Sequence, residues 1–364
     1  MKIIQIIFGL SSGGAERLVV DLSNELVKEH EVILLTLKDD RIDNNDFYLP
    51  ELSKNVEYIN AGIKKGLSLK EAFFLYKTIK SVKPDIVHFH LTNVVFYIIF
   101  SILFYRKPKY IETLHIKADK MVTSKIQIQI KYWLYRLKLI KVCTISNDNQ
   151  KSFVDFFKVK DSALIYNGRS KPLPSEKINT VKYEIENLKK TPEDIVFLHI
   201  GRCAEQKNQK MLISVFNRLN AEGVNFVLLI IGDQFDSELG AELKTLACRR
   251  IHFLGTKLNI PDYYLNADGF CLSSIFEGMP ITLIEAFACG CIPICTPISG
   301  AIDIIDNQIT GFISNDTNEE SYYQSIISFI RQRSIIDKSS LVKYYENNLS
   351  ISNCMKKYIQ LYKS

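Results

Sequence analysis

Several short patterns that would assign a function directly are missing from these 364 residues. There is no G-x-G-x-x-G fingerprint and no G-K-[ST] phosphate loop, which disfavours nicotinamide enzymes and P-loop enzymes. No cofactor is therefore predicted. A D-x-D carboxylate pair, with which metal-dependent transferases usually hold their cation, is missing too. We therefore expect a site that works without a metal ion.

Long apolar runs and paired cysteines are also missing. The longest apolar run, Val94 to Tyr105, has about twelve residues, which is too short to span a bilayer. The eight cysteines show no C-x2-C spacing, so no metal site is predicted. Cys143 and Cys271 fall inside apolar runs, which is typical of a reduced, cytoplasmic protein. Met1 leads almost directly into a strand-like run, so we expect no signal peptide.

The charge balance is only mildly basic, with a formal net charge of +6. No basic-aromatic RNA signature and no zinc-finger spacing accompany it, so no nucleic-acid partner is predicted. A mild excess of cations suits a patch that faces phosphates or a membrane surface.

Apolar strand-like runs alternate with amphipathic helical patterns along the whole chain. This alternation predicts an α/β protein with parallel sheets and helices on both faces. The length suits two domains. A polar stretch with several prolines, Ser170 to Asp194, is the predicted connection between them.

Two carboxylates separated by seven residues mark the most informative stretch, Phe276 to Pro293. Glu277 stands in a loop, and Glu285 lies in the short apolar helix that follows it. Because a helix N-terminus exposes backbone N–H groups, the start of this helix is a candidate anion site. Carboxylates accept hydrogen bonds from sugar hydroxyls. The plain alternative is a strand-loop-helix corner with one capping and one surface glutamate.

Two glycine-bearing loops follow strand-like runs, and each precedes a helical pattern. The first, Gly9 to Glu16, ends in G-G-A-E, and the second, Gly201 to Asn208, contains Arg202 and Lys207. A guanidinium fork and a mobile ammonium group suit a diphosphate. The alternatives are a tight turn for the first loop and a solvated basic loop for the second.

A histidine, His115, stands at the predicted end of a strand and precedes a polar, basic loop. It is a candidate for a site at the carboxyl edge of a parallel sheet, although a surface or core histidine is an even alternative. His88 and His90 are weaker candidates, because strand alternation places both on one face.

Taken together, these motifs resemble family 4 of the retaining glycosyltransferases. The resemblance combines the E-x7-E stretch, the turn Ala288 to Pro293 that follows it, the G-G-A-E loop and the G-R-x-x-x-x-K-N loop. It implies the GT-B fold, in which two Rossmann-like domains face each other across an interdomain cleft. The implied domains are 1–170 on the acceptor side, with a last helix 350–364 packing back on it, and 171–349 for the nucleotide sugar.

The resemblance also implies roles for single residues. Glu277 would lie by the donor sugar and Glu285 would hold the ribose hydroxyls, while Gly14 would let the first loop approach the diphosphate. The implied catalytic set is Glu277, His115, Arg202 and Lys207. The implied donor-binding set is Gly14, Arg202, Lys207, Gly278, Met279, Pro280, Ile281, Thr282 and Glu285.

The function implied is transfer of a sugar from a nucleotide-diphosphate sugar, most commonly a UDP sugar, to a glycan or lipid-linked acceptor in surface polysaccharide synthesis. Two alternatives stay open. A GT-B-fold nucleotide-sugar epimerase would use similar phosphate loops but needs a catalytic acid and base in the first domain. A non-catalytic GT-B binding subunit would keep the fold and lose the site.

The apolar run Val94 to Tyr105 predicts a helix that is apolar nearly all round and is followed by many cations. A buried core helix is the even alternative. The family often glycosylates lipid-carried acceptors, so we predict peripheral attachment of the first domain to the anionic inner face of the cytoplasmic membrane. The cations concerned are Lys64, Lys65, Arg106, Lys107, Lys109, Lys117, Lys120, Lys125, Lys131, Arg136, Lys138 and Lys141.

Overall fold

The computed structural model describes residues 1–39, 46–64, 66, 68–121 and 124–364. Lys65, one of the cations of the predicted membrane surface, lies outside the described residues. Contacts divide the chain into two compact units. The N-terminal unit comprises Met1–Ser170 and Leu349–Ser364, and the C-terminal unit comprises Lys171–Asn348.

The N-terminal unit is built on a parallel sheet whose central strands are almost wholly buried. Its strands are β1 (Lys2–Ile7), β2 (Glu31–Lys38), β3 (Glu57–Ile63), β4 (Ile86–His90), β5 (Lys109–Leu114), β6 (Lys141–Thr144) and β7 (Ser162–Leu164). Their spatial order is β3-β2-β1-β4-β5-β6-β7. The order reverses between β1 and β4, and this is where open α/β sheets bind ligands.

Helices cover both faces of this sheet, and two hydrophobic clusters fill the space between helices and strands. They are α1 (Gly14–Leu26), α2 (Leu69–Val82), α3 (Val94–Tyr97), α4 (Ile99–Phe104), α5 (Lys125–Arg136) and α6 (Asn147–Phe157).

The apolar run from Val94 to Tyr105 does not form the single helix that the sequence predicts. It forms the two short helices α3 and α4, because Ile98 between them leaves helical geometry with φ −106° and ψ 14°. Most of the run is buried core, and its main exposed side chain is Phe104. The expectation of one continuous helix is therefore wrong, and the core alternative describes most of the run.

Lys131 of α5 needs a second correction, because it does not belong to a basic surface. It is fully buried and donates to the Glu112 carboxylate of β5 at 2.5 Å. The Tyr135 hydroxyl donates to the other oxygen of Glu112 at 2.8 Å. An unpaired charge at this depth would be very costly, so the three side chains satisfy one another.

The C-terminal unit repeats the parallel α/β plan. Its strands are β8 (Ile195–Ile200), β9 (Phe226–Ile231), β10 (Ile251–Gly255), β11 (Gly269–Leu272), β12 (Ile292–Cys295) and β13 (Phe312–Ile313), in the spatial order β10-β9-β8-β11-β12-β13. Its order reverses between β8 and β11. Its helices are α7 (Ile178–Leu188), α8 (Gln209–Ala221), α9 (Glu238–Leu246), α10 (Ile260–Leu265), α11 (Ile281–Ala288), α12 (Ser299–Ile304), α13 (Glu319–Gln332) and α14 (Lys338–Tyr344).

The last helix, α15 (Ile351–Lys363), belongs to the N-terminal unit. Its Tyr358 and Tyr362 are buried in the hydrophobic cluster that also contains residues of β1. Helix α15 packs closely against the segment that contains Gly168, since a Cβ added at Gly168 would lie 2.5 Å from the Cys354 Cβ. In the part of the chain that the structure describes, no helix has the length and apolar character needed to cross a membrane.

Candidate functional site

The residues of the two predicted C-terminal motifs follow adjacent strands. The loop with Arg202 and Lys207 comes after β8, and the loop with Glu277 comes after β11. Because β8 and β11 are parallel neighbours on either side of the reversal in strand order, both loops emerge at the same edge of the sheet. The sequence therefore brings a cation and a carboxylate together from motifs that lie about 70 residues apart.

Lys207 and Glu277 form an ion pair at this edge. The Lys207 ammonium donates to Glu277 Oε1 at 2.5 Å, and the Ser274 hydroxyl donates to the same oxygen at 2.8 Å. The two charged side chains keep 19% and 13% of their exposure, so a ligand can still reach them. The other carboxylate oxygen of Glu277 has no hydrogen-bond partner among the residues that the structure describes.

Further hydrogen bonds join the two loops. The Ser273 hydroxyl donates to the Lys207 carbonyl at 2.8 Å. The Gln206 backbone carbonyl accepts from the Ile275 amide at 2.9 Å, and the Gln206 side chain donates to the Phe276 carbonyl at 2.8 Å. These bonds tie the two loops together on either side of the ion pair.

The backbone of Arg202 is fixed by a hydrogen bond, and its side chain is exposed. Its carbonyl accepts from the Gln209 side chain at 2.9 Å, and Gln209 also contacts the buried His199 ring at 3.3 Å. Burial lowers the pKa of His199 to about 4, so this ring is neutral at physiological pH. Among the described residues the Arg202 guanidinium has no hydrogen-bond or ion-pair partner, so it is available to an anion.

Helix α11 starts directly beside this pair. Pro280 precedes its first residue, and the backbone amides of Ile281 and Thr282 belong to the first turn, where a helix offers N–H groups to an anion. Gly278 and Met279 lead into the turn and pack against α12.

The packing at α12 requires a glycine. A Cβ added at Gly300 would lie 2.6 Å from the Gly278 carbonyl oxygen and 2.7 Å from the Met279 Cα. Any larger residue would therefore move the loop that holds Glu277.

Glu285 lies just over one turn into α11 and is half-buried on a helix whose other side chains are mostly buried. The α11 carbonyl of Thr282 accepts from the Tyr264 hydroxyl at 2.7 Å, which fixes the orientation of the helix. The assignment of Glu285 to ribose hydroxyls stays a prediction.

Gly14 is the first residue of α1 and is exposed. The preceding loop lines a hollow of about 380 Å³ at the carboxyl end of the sheet of the N-terminal unit. Its lining includes Gly9, Ser11, Glu16 and Lys38. The position of Gly14 at a helix start beside this hollow fits a loop that approaches a ligand, and its role stays a prediction.

His115 follows β5 and is linked to two buried polar groups. Its Nε2 lies 3.1 Å from Nδ1 of His90, and Nε2 of His90 lies 2.9 Å from Oε1 of Gln5. Burial lowers the pKa of His115 to about 4 and that of His90 well below its ordinary value. Both rings are therefore neutral at physiological pH, and the role predicted for His115 at the donor sugar stays a prediction.

Sequence reasoning missed four residues that hold the candidate sites: Ser274, Gln209, His199 and Gln5. A usable signal existed for two of them. His199 and Gln5 are polar residues within otherwise apolar strand runs, and a buried polar group has to have a partner. Nothing in the sequence indicates which partner each would find.

Models of two protein families match the chain. "Glycosyltransferase Family 4" matches residues 12–170, and "Glycosyl transferases group 1" matches residues 182–348.

Among curated proteins, the chain is 26% identical to the N-acetylgalactosamine-N,N'-diacetylbacillosaminyl-diphospho-undecaprenol 4-alpha-N-acetylgalactosaminyltransferase of Campylobacter jejuni, with 94% of this chain and 92% of that protein covered. It is also 26% identical to a capsular polysaccharide biosynthesis glycosyltransferase of Staphylococcus aureus, with 82% of each covered.

Solved structures show the fold. A glycosyltransferase of Rickettsia africae superimposes with a TM-score of 0.82 at 21% identity, covering 100% of this chain and 97% of that one. The Anabaena HepE protein in complex with UDP and glucose gives 0.81 at 16% identity, covering 100% and 99%. The predicted GT-B fold class is confirmed.

Proposed function

Because the chain belongs to the family 4 glycosyltransferases, we propose that it moves a sugar from a UDP sugar to a lipid-carried glycan, with retained anomeric configuration and without a metal ion. The observation that carries this proposal is the Lys207–Glu277 pair at the reversal of strand order in the C-terminal unit. Relatives whose names include UDP-galactose or a diphospho-undecaprenol lipid support the two substrate classes.

The donor chemistry follows from the charges at this edge. Breaking the bond between the anomeric carbon and a phosphate oxygen leaves negative charge on the diphosphate. The free guanidinium of Arg202, the Lys207 ammonium and the amides at the start of α11 are cationic or partly positive groups that would stabilise this charge. They take the place that a bound cation would hold in a metal-dependent transferase, which is why activity is expected to survive chelation.

Glu277 is proposed to orient the donor sugar. Its Oε1 is occupied by Lys207 and Ser274, whereas the second oxygen has no partner in the described structure and could accept from a sugar hydroxyl. The acceptor hydroxyl would then attack from the same face as the departing diphosphate, which retains the configuration. His115 and Gly14 are proposed to contact the donor as well.

The acceptor is proposed to be a glycan on a polyprenyl diphosphate lipid. Relatives from Campylobacter jejuni and Escherichia coli are named for activity on diphospho-undecaprenol compounds. Their substrates differ from one another in sugar and linkage, so this similarity supports a class of acceptor and no particular compound.

A lipid-carried acceptor implies work at a membrane surface, and α5 offers a suitable face. Along its outer side and just after its end runs an apolar stripe at the helical spacing i, i+4, i+7, i+11, whose members are 37–74% exposed: Ile126, Ile130, Trp133 and Leu137. Exposed cations flank it: Lys125, Arg136 and Lys138. Amphipathic helices of this composition lie in the interface of anionic bilayers. We propose peripheral attachment to the cytoplasmic membrane through this stripe.

Sedimentation with anionic vesicles tests the attachment. The protein should pellet with the vesicles at low salt and be released at high salt, because its cations contribute roughly 1 kcal/mol each near such a surface. Trp133→Gln should pellet less, whereas Leu258→Gln, a control at an apolar side chain of the C-terminal unit that is 88% exposed, should behave like the wild type. Binding that ignores salt, or equal losses in both variants, contradicts this attachment.

The donor is tested first by thermal shift. A panel of nucleotide sugars is added to the protein, and we expect stabilisation by UDP sugars that is lost in Arg202→Ala. Nucleotide release is then measured with and without a lipid extract, in EDTA. Release that depends on the extract and resists EDTA supports the proposal, whereas activity restored only by Mn²⁺ or Mg²⁺ contradicts the metal-free mechanism.

A further inference from the structure

A chain of buried polar side chains leads inward from His115 through the core of the N-terminal unit. His90 and His88 of β4, Gln5 of β1 and Thr113 of β5 are completely buried. Desolvating a polar group is unfavourable unless it is paired, so apolar side chains would suit these core positions at least as well. Their presence therefore calls for an explanation beyond stability.

In this row of buried side chains, the donor and the acceptor of each hydrogen bond can be assigned. Oε1 of Gln5 can only accept, so Nε2 of His90, at 2.9 Å, donates to it. A neutral imidazole has one N–H, and Nδ1 of His90 is then an acceptor. Nε2 of His115, at 3.1 Å, must donate to that nitrogen. The proton of His115 is thereby fixed on Nε2, and its Nδ1 becomes an acceptor.

The hydrogen bonds of the Gln5 amide nitrogen agree with this assignment. Its amide nitrogen donates to the Tyr362 hydroxyl at 3.3 Å, and that hydroxyl donates to Nδ1 of His88 at 2.8 Å. Nε2 of His88 then donates to the Thr113 hydroxyl at 2.8 Å. Flipping the Gln5 amide would require reversing every one of these bonds together, so the network resists a change of tautomer at His115.

The remaining nitrogen of His115 is the one that a ligand can use. His115 is only partly buried, and its Nδ1 has no hydrogen-bond partner among the residues that the structure describes. Burial lowers the pKa of His88 to about 3 and that of His115 to about 4, so the rings stay neutral and the direction of the bonds holds at physiological pH.

We propose that Gln5 and His90 are positioning residues that keep His115 protonated on Nε2, so that its Nδ1 accepts a hydrogen bond from a sugar hydroxyl of the donor. The contact with the donor rests on the proposed function, whereas the tautomer does not. With this tautomer, the sugar must carry a hydroxyl group that donates to Nδ1 of His115. A sugar substituent that can only accept hydrogen bonds would face the lone pair of Nδ1 and be disfavoured.

The tautomer is read by long-range ¹H–¹⁵N spectra of enzyme labelled at histidine, in which protonated and bare ring nitrogens are well separated. Only six histidines are present, so single substitutions assign them. We expect one neutral form of His115 with the proton on Nε2, and a mixture of both tautomers in Gln5→Leu. A proton on Nδ1 in the wild type, or a mixture there, overturns the proposal whether or not the enzyme transfers sugar.

Kinetics test the consequence with a matched pair of variants. In His90→Leu the acceptor for His115 is lost, and kcat/KM for the donor should fall roughly tenfold, about the value of one hydrogen bond. In His90→Asn the amide oxygen can stand near the position of Nδ1, and kcat/KM should return to within about threefold. Equal losses in both variants, or a wild-type value in His90→Leu while His115→Ala is impaired, contradict the positioning role.

Discussion

Replacing Lys207 by methionine should lower turnover far more than it lowers stability. Methionine keeps most of the length of the side chain and removes the ammonium group that faces Glu277 at 2.5 Å. Removing one group that stabilises charge in a transition state costs about 10²–10³ in kcat, or roughly 2.7–4 kcal/mol. We expect a loss of this size at saturating donor, where weaker binding no longer limits the rate.

The cost to folding should be smaller. Glu277 keeps its bond from Ser274 and remains partly accessible to water, so the variant should lose only about 1–2 kcal/mol of unfolding free energy. Lys210→Met is the matched control, because Lys210 lies on the exposed side of α8 and its pair with Glu242 is solvated. Initial rates and thermal midpoints of both variants decide the matter. A wild-type kcat in Lys207→Met, or the same loss in Lys210→Met, would refute the role of this cation.

Three further predictions concern the proposed ribose contact, a buried ion pair and the buried histidines. Glu285→Ala should weaken donor binding by roughly 1.5–3 kcal/mol, about 10- to 100-fold, because the acceptor proposed for the ribose hydroxyls is removed. Unchanged affinity in titration calorimetry on the folded variant contradicts that role. Lys131→Met should destabilise the protein by about 3–5 kcal/mol, because it leaves the buried Glu112 carboxylate without its cation. Thermal unfolding of the double variant, in which Glu112 is also replaced by leucine, should show that stability is regained. A double variant as unstable as Lys131→Met refutes the pairing argument. The free energy of unfolding should fall as the pH is lowered from 7 to 5. Burial lowers the pKa of His88 to about 3 and that of His199 to about 4, so the unfolded protein takes up protons that the folded protein does not. The loss should be about 2 kcal/mol for each ring, and a thermal midpoint independent of pH in this range contradicts the prediction.

The sequence predicts the parallel α/β plan well, because its strands are short apolar runs between helical periods. The runs at β8 and β9 are buried at every position, as a parallel strand covered on both faces requires. The helix predicted from Val94 was wrong in extent, since hydrophobic periodicity cannot show a local departure from helical geometry such as that at Ile98.

The sequence predicts which residues belong to the candidate site, but it does not predict which of them contact each other. Motif positions single out Lys207 and Glu277 separately, one as a predicted phosphate ligand and one as a predicted sugar ligand. Their direct contact depends on β8 and β11 being neighbours, which is a property of strand order that no local pattern encodes. The burial of Lys131 was missed for a related reason, because its partner Glu112 lies on a different element.

The most direct test of the account is the mass of the acceptor lipid after reaction. Purified enzyme is incubated in EDTA with a UDP sugar that stabilises it and with polyprenyl-diphosphate glycans, and the lipids are analysed by mass spectrometry. We predict that the acceptor gains the mass of one sugar residue while an equal amount of UDP is released, and that Lys207→Met forms far less product. An unchanged acceptor together with conversion of the UDP sugar into an epimer would contradict the assignment as a transferase.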